Sequence, residues 1–183
     1  MIYPVTLYGD PVLRKIAEPI NADFPNLKEF VENMFDTMYN SDGVGLAAPQ
    51  VGQAIRVFVI DSDTGDEDDE PGIKRAFINP EILEKTGDEW VMNEGCLSVP
   101  EIREDVSRPE TVKIKYFDED FNEHLDVFHG FTSRVIQHEY DHLEGKMFVD
   151  YLNPLKKRIL KGKLTAISKG KVIPKYRIKV PGK

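Results

Sequence analysis

Leu27, Phe30, Val31, Met34, Phe35 and Met38 recur at three- and four-residue spacing and draw one apolar stripe along an otherwise polar segment. This predicts an amphipathic helix, stopped by Asn40, Ser41, Asp42 and Gly43. A second helical pattern runs from Phe131 to Leu143, and a third helix is predicted to begin near Pro154. Asp10 followed by Pro11 has the form of an N-cap and first helical position, which predicts a short helix through about Ile16. Strand signals fill the intervals. Residues 55–60 (IRVFVI) read as a buried strand, and residues 76–83 as another, interrupted by Pro80. Residues 111–117 alternate Val112, Ile114 and Tyr116 against Lys113 and Lys115, so one face is wet. DEDFN at 118–122 then reads as a hairpin turn returning through Leu125, Val127 and Phe128, and residues 172–180 alternate again as a terminal strand. No repeat or low-complexity linker divides the chain. The predicted architecture is therefore a single α+β domain, residues 1–183, with mostly antiparallel strands packed around a central helix, that of residues 131–143.

Charge sharpens this picture. The net charge is −8, yet residues 154–183 carry 11 of the 24 lysines and arginines, and the first 153 residues set 13 basic groups against 32 acidic ones. So acidic a body repels polyanions, which argues against a nucleic-acid binder. The basic segment reads most simply as a solvated helix and strand, and residues 61–70, with seven carboxylates in ten positions, as a solvated loop. A lone cysteine cannot form an intramolecular disulfide, and no run approaches the roughly 20 apolar residues of a membrane span. With no basic and apolar leader pattern in MIYPVTLYGDPV, a cytoplasmic protein is expected.

The chemistry concentrates in His138-Glu139-Tyr140-Asp141-His142, an H-E-x-x-H sequence inside the second helical pattern. Four residues are about one helical turn, so both imidazoles leave the same face and can grip one divalent ion. Glu139 sits roughly 100° around the helix from His138, near the open side of such an ion. The third ligand decides the enzyme class. One protease pattern continues H-x-x-G-x-x-H, and the chain follows it through Gly145 but has Phe148 where the last histidine belongs. No glutamate follows Glu144 to serve another protease family, and Asp150 reads as a surface or capping residue. Cys96, in Glu94-Gly95-Cys96-Leu97-Ser98, is the remaining soft donor, and its flanking glycine permits close backbone approach. A nucleophilic Cys-His pair explains Cys96 equally but leaves the second histidine and Glu139 without work. A zinc endopeptidase and a metal-sensing or ribosome-associated binding module stay open at this point.

Three separated motifs, Gly43-Val44-Gly45-Leu46-Ala47-Ala48-Pro49-Gln50, Glu94-Gly95-Cys96-Leu97-Ser98 and Gln137-His138-Glu139-Tyr140-Asp141-His142, resemble those of peptide deformylases in order and spacing. Asn79-Pro80, Gly145 to Phe148 and Asp150 to Leu152 extend the resemblance over about residues 3–155. It implies a hydrolase that removes the formyl group from N-formylmethionine of nascent polypeptides and releases formate. It further implies Cys96, His138 and His142 as metal ligands, Glu139 as acid and base, and Gln50 with the Leu97 backbone N–H as the oxyanion hole. Iron(II) is the implied native ion, replaceable by zinc, nickel or cobalt. Carried over by position, Gly43 and Gly45 approach the substrate backbone, Val44, Met92, Phe131 and Val135 line the methionine pocket, and Arg103 lies near the substrate backbone. Glu94 and Gly95 complete the substrate-binding set.

Two departures stand out. Arg134 replaces a commonly aliphatic pocket residue, so either the pocket rim is more polar or Arg134 points outward. The chain's end does not resemble the long terminal helix with which some bacterial members dock on the ribosome near the exit tunnel, though the resemblance leaves the basic segment 156–171 as a candidate for the same docking. A monomer is expected, and His124 and His129 read as ordinary strand and loop residues.

Overall fold

Residues 84–110, where charged and apolar positions mix without a clean period, are strand almost throughout. They form most of a long hairpin between β4 (Lys74–Cys96) and β5 (Val99–Phe117). The period is missing because residues 83–89 are exposed on both faces, so nothing selects an apolar side. Register shifts between Ile78 and Glu81, Ile82 and Glu84, and Thr86 and Glu89 break the ladder, and Pro80 occupies the first of them. The strand expected at 76–83 is thus the beginning of a much longer element. This computed structural model describes residues 1–65 and 71–182, so part of the acidic stretch expected to be a loop, residues 66–70, lies outside the described residues.

The hairpin is central to a five-stranded antiparallel sheet of order β2-β3-β4-β5-β6, with β2 at Gly45–Ala47, β3 at Val57–Asp61 and β6 at Glu123–Phe128. β3 is apolar on both faces because both are covered. Val57 and Val59 pack with Met34 and Met38 of α1 (Leu27–Asn40), while Phe58 and Ile60 pack with Val135 and Ile136 of α2 (Gly130–Leu143). An uninterrupted apolar run is what a strand between two helices requires. The turn at 118–122 is held by the Asp118 carboxylate, which accepts from the backbone N–H groups of Asp120 and Asn122 at 2.9 Å each. His124 stacks on Tyr116 and His129 precedes α2, bonded to Thr111, as ordinary structural residues.

Two expectations change. Asp10 does cap and Pro11 does start a helical turn, but it is a 3₁₀ turn ending at Arg14. Arg14 is drawn away to Asp150 at 2.6 Å and to the Gly145 carbonyl at 3.2 Å. The terminal strand shrinks to β7 (Ile178–Lys179), which pairs parallel with β1 (Val5–Thr6), an exception to the antiparallel rule. α3 (Pro154–Ser168) begins where expected, capped by the Asn153 side chain. Its Leu160 and Ile167 join Leu7, Leu13, Val99, Ile102 and Phe148 in an apolar cluster beside the hairpin. Among the described residues no helix is long and apolar enough to cross a membrane.

Candidate active site

α2 is unusual in what it buries. Ser133, Arg134, Gln137, Glu139, Asp141 and His142 are all buried, although each polar group sequestered from water costs free energy unless it is paired. The hairpin supplies much of the pairing, though Arg134 Nε, Gln137 Oε1, Glu139 Oε2 and His142 Nδ1 have no hydrogen-bond partner among the described residues. Glu94 on β4 lies opposite Glu104, and Arg108 on β5 lies opposite Trp90, four residues along; the long Arg108 side chain spans this offset, and its guanidinium donates to both Glu94 oxygens, at 2.6 and 3.0 Å, and to Asp141 at 2.7 Å. Arg134 donates to Glu94 at 2.9 Å and to the carbonyls of Val106 and Trp90 at 2.9 and 2.6 Å, with its guanidinium over the Trp90 ring. Tyr151 donates to Asp141 at 2.8 Å. Burial alone would push the Glu94 carboxyl up, but His138 and Arg108 hold it well below the usual carboxylate range.

This network has one working output. The His138 ring is bonded through Nδ1 to Glu94 at 2.9 Å, which fixes its orientation, and the ring is also in hydrogen-bond contact with Cys96. His142 Nε2 lies 3.4 Å from Cys96 Sγ, and the donor atoms of Cys96, His138 and His142 all fall within 4.8 Å of one another. Cys96 arrives there from the tip of the β4–β5 hairpin, whose turn is Leu97 and Ser98. One thiolate and two imidazoles fit a divalent transition ion, and a carboxylate behind a ligating histidine is the usual support for one.

Glu139 comes from the same turn of α2. It is 4% exposed, and its Oε2 has no hydrogen-bond partner among the described residues. Burial pushes its carboxyl up to about 7, and a cation beside it would pull it down again. β2 passes so close that a Cβ on Gly45 would overlap the Glu139 carboxylate, so only glycine allows this approach. Gln50, at the end of a 3₁₀ turn over Ala48–Val51, accepts the Ala47 N–H through Oε1 at 2.9 Å. That aims its Nε2 at Cys96 Sγ, 3.4 Å away, and at Ser98 Oγ, 3.2 Å away.

A cleft of about 550 Å³ opens over these groups. Gly43, Val44, Gly45, Gln50, Met92, Gly95, Cys96, Leu97, Arg103, Phe131, Val135, His138 and Glu139 all line it. Glu94 lines it too, with both its oxygens engaged, one of them by His138. Arg134 does not point outward: it lines the cleft, with its guanidinium held in the network and 3% of the side chain exposed. Arg103 is exposed and held to Asn93 at 2.9 Å through Oδ1 and through the backbone carbonyl. Sequence reasoning missed Arg108, which looks like a surface residue in a polar strand, and it missed Pro174 and Tyr176, which reach the cleft from the chain's end.

The family model for polypeptide deformylase matches residues 2–158. A peptide deformylase of Cytophaga hutchinsonii is 53% identical over 181 residues, covering 99% of this chain and 98% of the relative. The chain belongs to the polypeptide deformylase family. A solved peptide deformylase from Ehrlichia chaffeensis superposes with a TM-score of 0.85 at 30% identity, covering 94% of this chain and all of that one. Another, from Acinetobacter baumannii with Met-Ala-Ser bound, gives 0.77 at 37% identity over 83% of this chain and 99% of that one. The protein is thus an enzyme that removes the N-formyl group from N-formylmethionine of nascent polypeptides and releases formate, in a metal-dependent family. The endopeptidase and binding-module alternatives end here.

Proposed function

We propose that Cys96, His138 and His142 hold one divalent cation, that Glu139 is the general acid and base, and that Gln50 Nε2 and the Leu97 N–H receive the formyl oxygen as charge develops on it. The observation that carries this reading is the convergence of three ligand atoms within 4.8 Å beside a buried carboxylate with an oxygen unpartnered among the described residues. The cation supplies Lewis-acid activation of water and carbonyl. Glu139 takes the proton of the attacking water and delivers it to the leaving amine through the buried oxygen, Oε2, that has no hydrogen-bond partner among the described residues. Gln50 cannot rotate away, because its carbonyl is tied to Ala47. Iron(II) is the ion we assign, with zinc, nickel and cobalt acceptable to the same donors; metal analysis of anaerobically purified enzyme reads this directly.

The peptide lies along Gly43, Gly45 and Gly95, with the methionine side chain toward Val44, Met92, Phe131 and Val135 and Arg103 beside the peptide backbone. The tripeptide Met-Ala-Ser, bound in the Acinetobacter relative, is what hydrolysis of formyl-Met-Ala-Ser leaves behind. The formyl group presents only hydrogen where acetyl has a methyl, so a closed wall rejects the larger group. Formate release from formyl-Met-Ala-Ser, with no acetate from acetyl-Met-Ala-Ser, is the expected result; equal turnover of both refutes the reading.

Gln50→Ala is expected to lower kcat by about 10²-fold, about 3 kcal/mol of transition-state stabilisation, with little change in KM. An effect on KM alone removes Gln50 from this role. We further propose that residues 1–183 act as one cytoplasmic, monomeric catalytic domain whose basic segment 156–171 meets the ribosome near the exit tunnel. The charge of that segment supports the contact. Cosedimentation with ribosomes that survives its removal would discard it.

A further inference from the structure

The family match ends at residue 158, yet two residues beyond it, Pro174 and Tyr176, line the cleft. What brings them there is the parallel pairing of β1 with β7. Val5 donates to the Arg177 carbonyl at 2.8 Å and Leu7 to that of Lys179 at 3.0 Å, so the chain's end is stitched to its beginning. This pair of strands then reaches the hairpin tip at two points. The Tyr8 N–H donates to the Ser98 carbonyl at 2.8 Å, and the Tyr176 hydroxyl donates to the Leu97 carbonyl at 2.7 Å. Leu97 and Ser98 are the whole of the turn that closes β4 on β5, and both their carbonyls are thereby held from outside the hairpin.

A two-residue tip on arms of this length has little of its own to fix its peptide planes, and such tips are ordinarily among the more mobile parts of a fold. Here the tip has Cys96 on one side and carries the Leu97 N–H. A donor to a developing oxyanion works only when it stands in place beforehand. We propose that Tyr176 is a positioning residue for deformylation: its hydroxyl, by holding the Leu97 carbonyl, fixes the turn so that the Leu97 N–H faces the reacting formyl oxygen. This rests on the reading of Leu97 and Gln50 as the oxyanion donors, and the Tyr176 hydroxyl itself touches no reacting atom.

Tyr176→Phe deletes one oxygen and keeps the ring against the cleft. The Leu97 carbonyl, on a half-buried residue at an open cleft, then bonds to water, so the variant folds with a thermal midpoint close to that of the parent. In the full-length, cobalt-loaded enzyme acting on formyl-Met-Ala-Ser, kcat is expected to fall about tenfold with KM unchanged, because the misplaced donor matters only in the transition state. The cobalt d–d absorption bands should stay where they are. A structural role alone would move the thermal midpoint and spare kcat. Gln50→Ala is assayed alongside. Parent-like kcat in Tyr176→Phe beside a slow Gln50→Ala overturns the positioning role and leaves the oxyanion reading standing. Slow turnover with displaced cobalt bands also overturns it, since the hydroxyl would then act through Cys96 and the metal. Full-speed Gln50→Ala defeats the oxyanion reading itself, and the proposal falls with it.

Discussion

Glu139→Ala is expected to keep the full metal content of the enzyme and to lose about 10²- to 10⁴-fold in formate release. The three ligand atoms come from Cys96, His138 and His142, and none of the hydrogen bonds that orient them involves Glu139. Metal analysis should therefore read one ion per chain in both forms. The loss falls on kcat, because the carboxylate exchanges protons with water and amine while the bonds are changing. Stability should move in the other direction or not at all. Oε2 of Glu139 is buried without a partner among the described residues, an arrangement that costs folding free energy and is retained where a reaction needs it. A thermal midpoint equal to or above that of the parent is expected. Loss of the ion in Glu139→Ala, or unimpaired formate release, would remove Glu139 from the acid and base role.

The legible parts of this protein are those in which one local rule suffices. A four-residue spacing on a helix places His138 and His142 on one face with no knowledge of the rest of the fold. The stripe from Leu27 to Met38 and the doubly apolar run at 57–60 are legible because their burial partners are continuous surfaces, a sheet for the helix and two helices for the strand. The hairpin was hidden for the opposite reason: its exposed middle has no buried face, and its bulges break whatever period remains. Arg108 illustrates the deeper limit. In the sequence it is one arginine among charged neighbours, and its burial follows only from the crossing of β5 by α2, which the sequence does not display. Polar residues on α2 carried a usable signal all the same. A helix already assigned to the core, with Arg134, Gln137, Glu139 and Asp141 along it, demands opposite charges from elsewhere, and Glu94 beside Cys96 is one such partner. Tyr176 offered no such hint, since its partner is a backbone carbonyl.

The second large effect is on folding. Arg108→Met should destabilise the enzyme by about 3–5 kcal/mol, seen as an earlier midpoint in urea or guanidinium. The side chain of Arg108 is 3% exposed and serves two buried carboxylates, Glu94 and Asp141. Two carboxylates face two guanidiniums, those of Arg108 and Arg134, so removal of one cation leaves a net negative charge in an apolar setting. Among the described residues the Asp141 carboxylate then keeps its hydrogen bond from the Tyr151 hydroxyl and loses the one from Arg108. Methionine fills much of the volume, so the loss reports charge and hydrogen bonding more than a void. Arg103→Met, an exposed arginine on the same strand, is the control and should shift the midpoint by under about 0.5 kcal/mol. Buried ion pairs are poor sources of net stability, since well-packed apolar groups often do as well. The retention of this one is better explained by its end point, the Glu94 contact that sets the His138 ring. Arg108→Met frees Glu94 to shift, and the folded variant should bind its divalent ion about 10- to 100-fold more weakly in competition with a chelator. Unchanged unfolding would show that Arg108 is not a structural counter-charge, and unchanged metal affinity would show that the network does not reach the metal ligands.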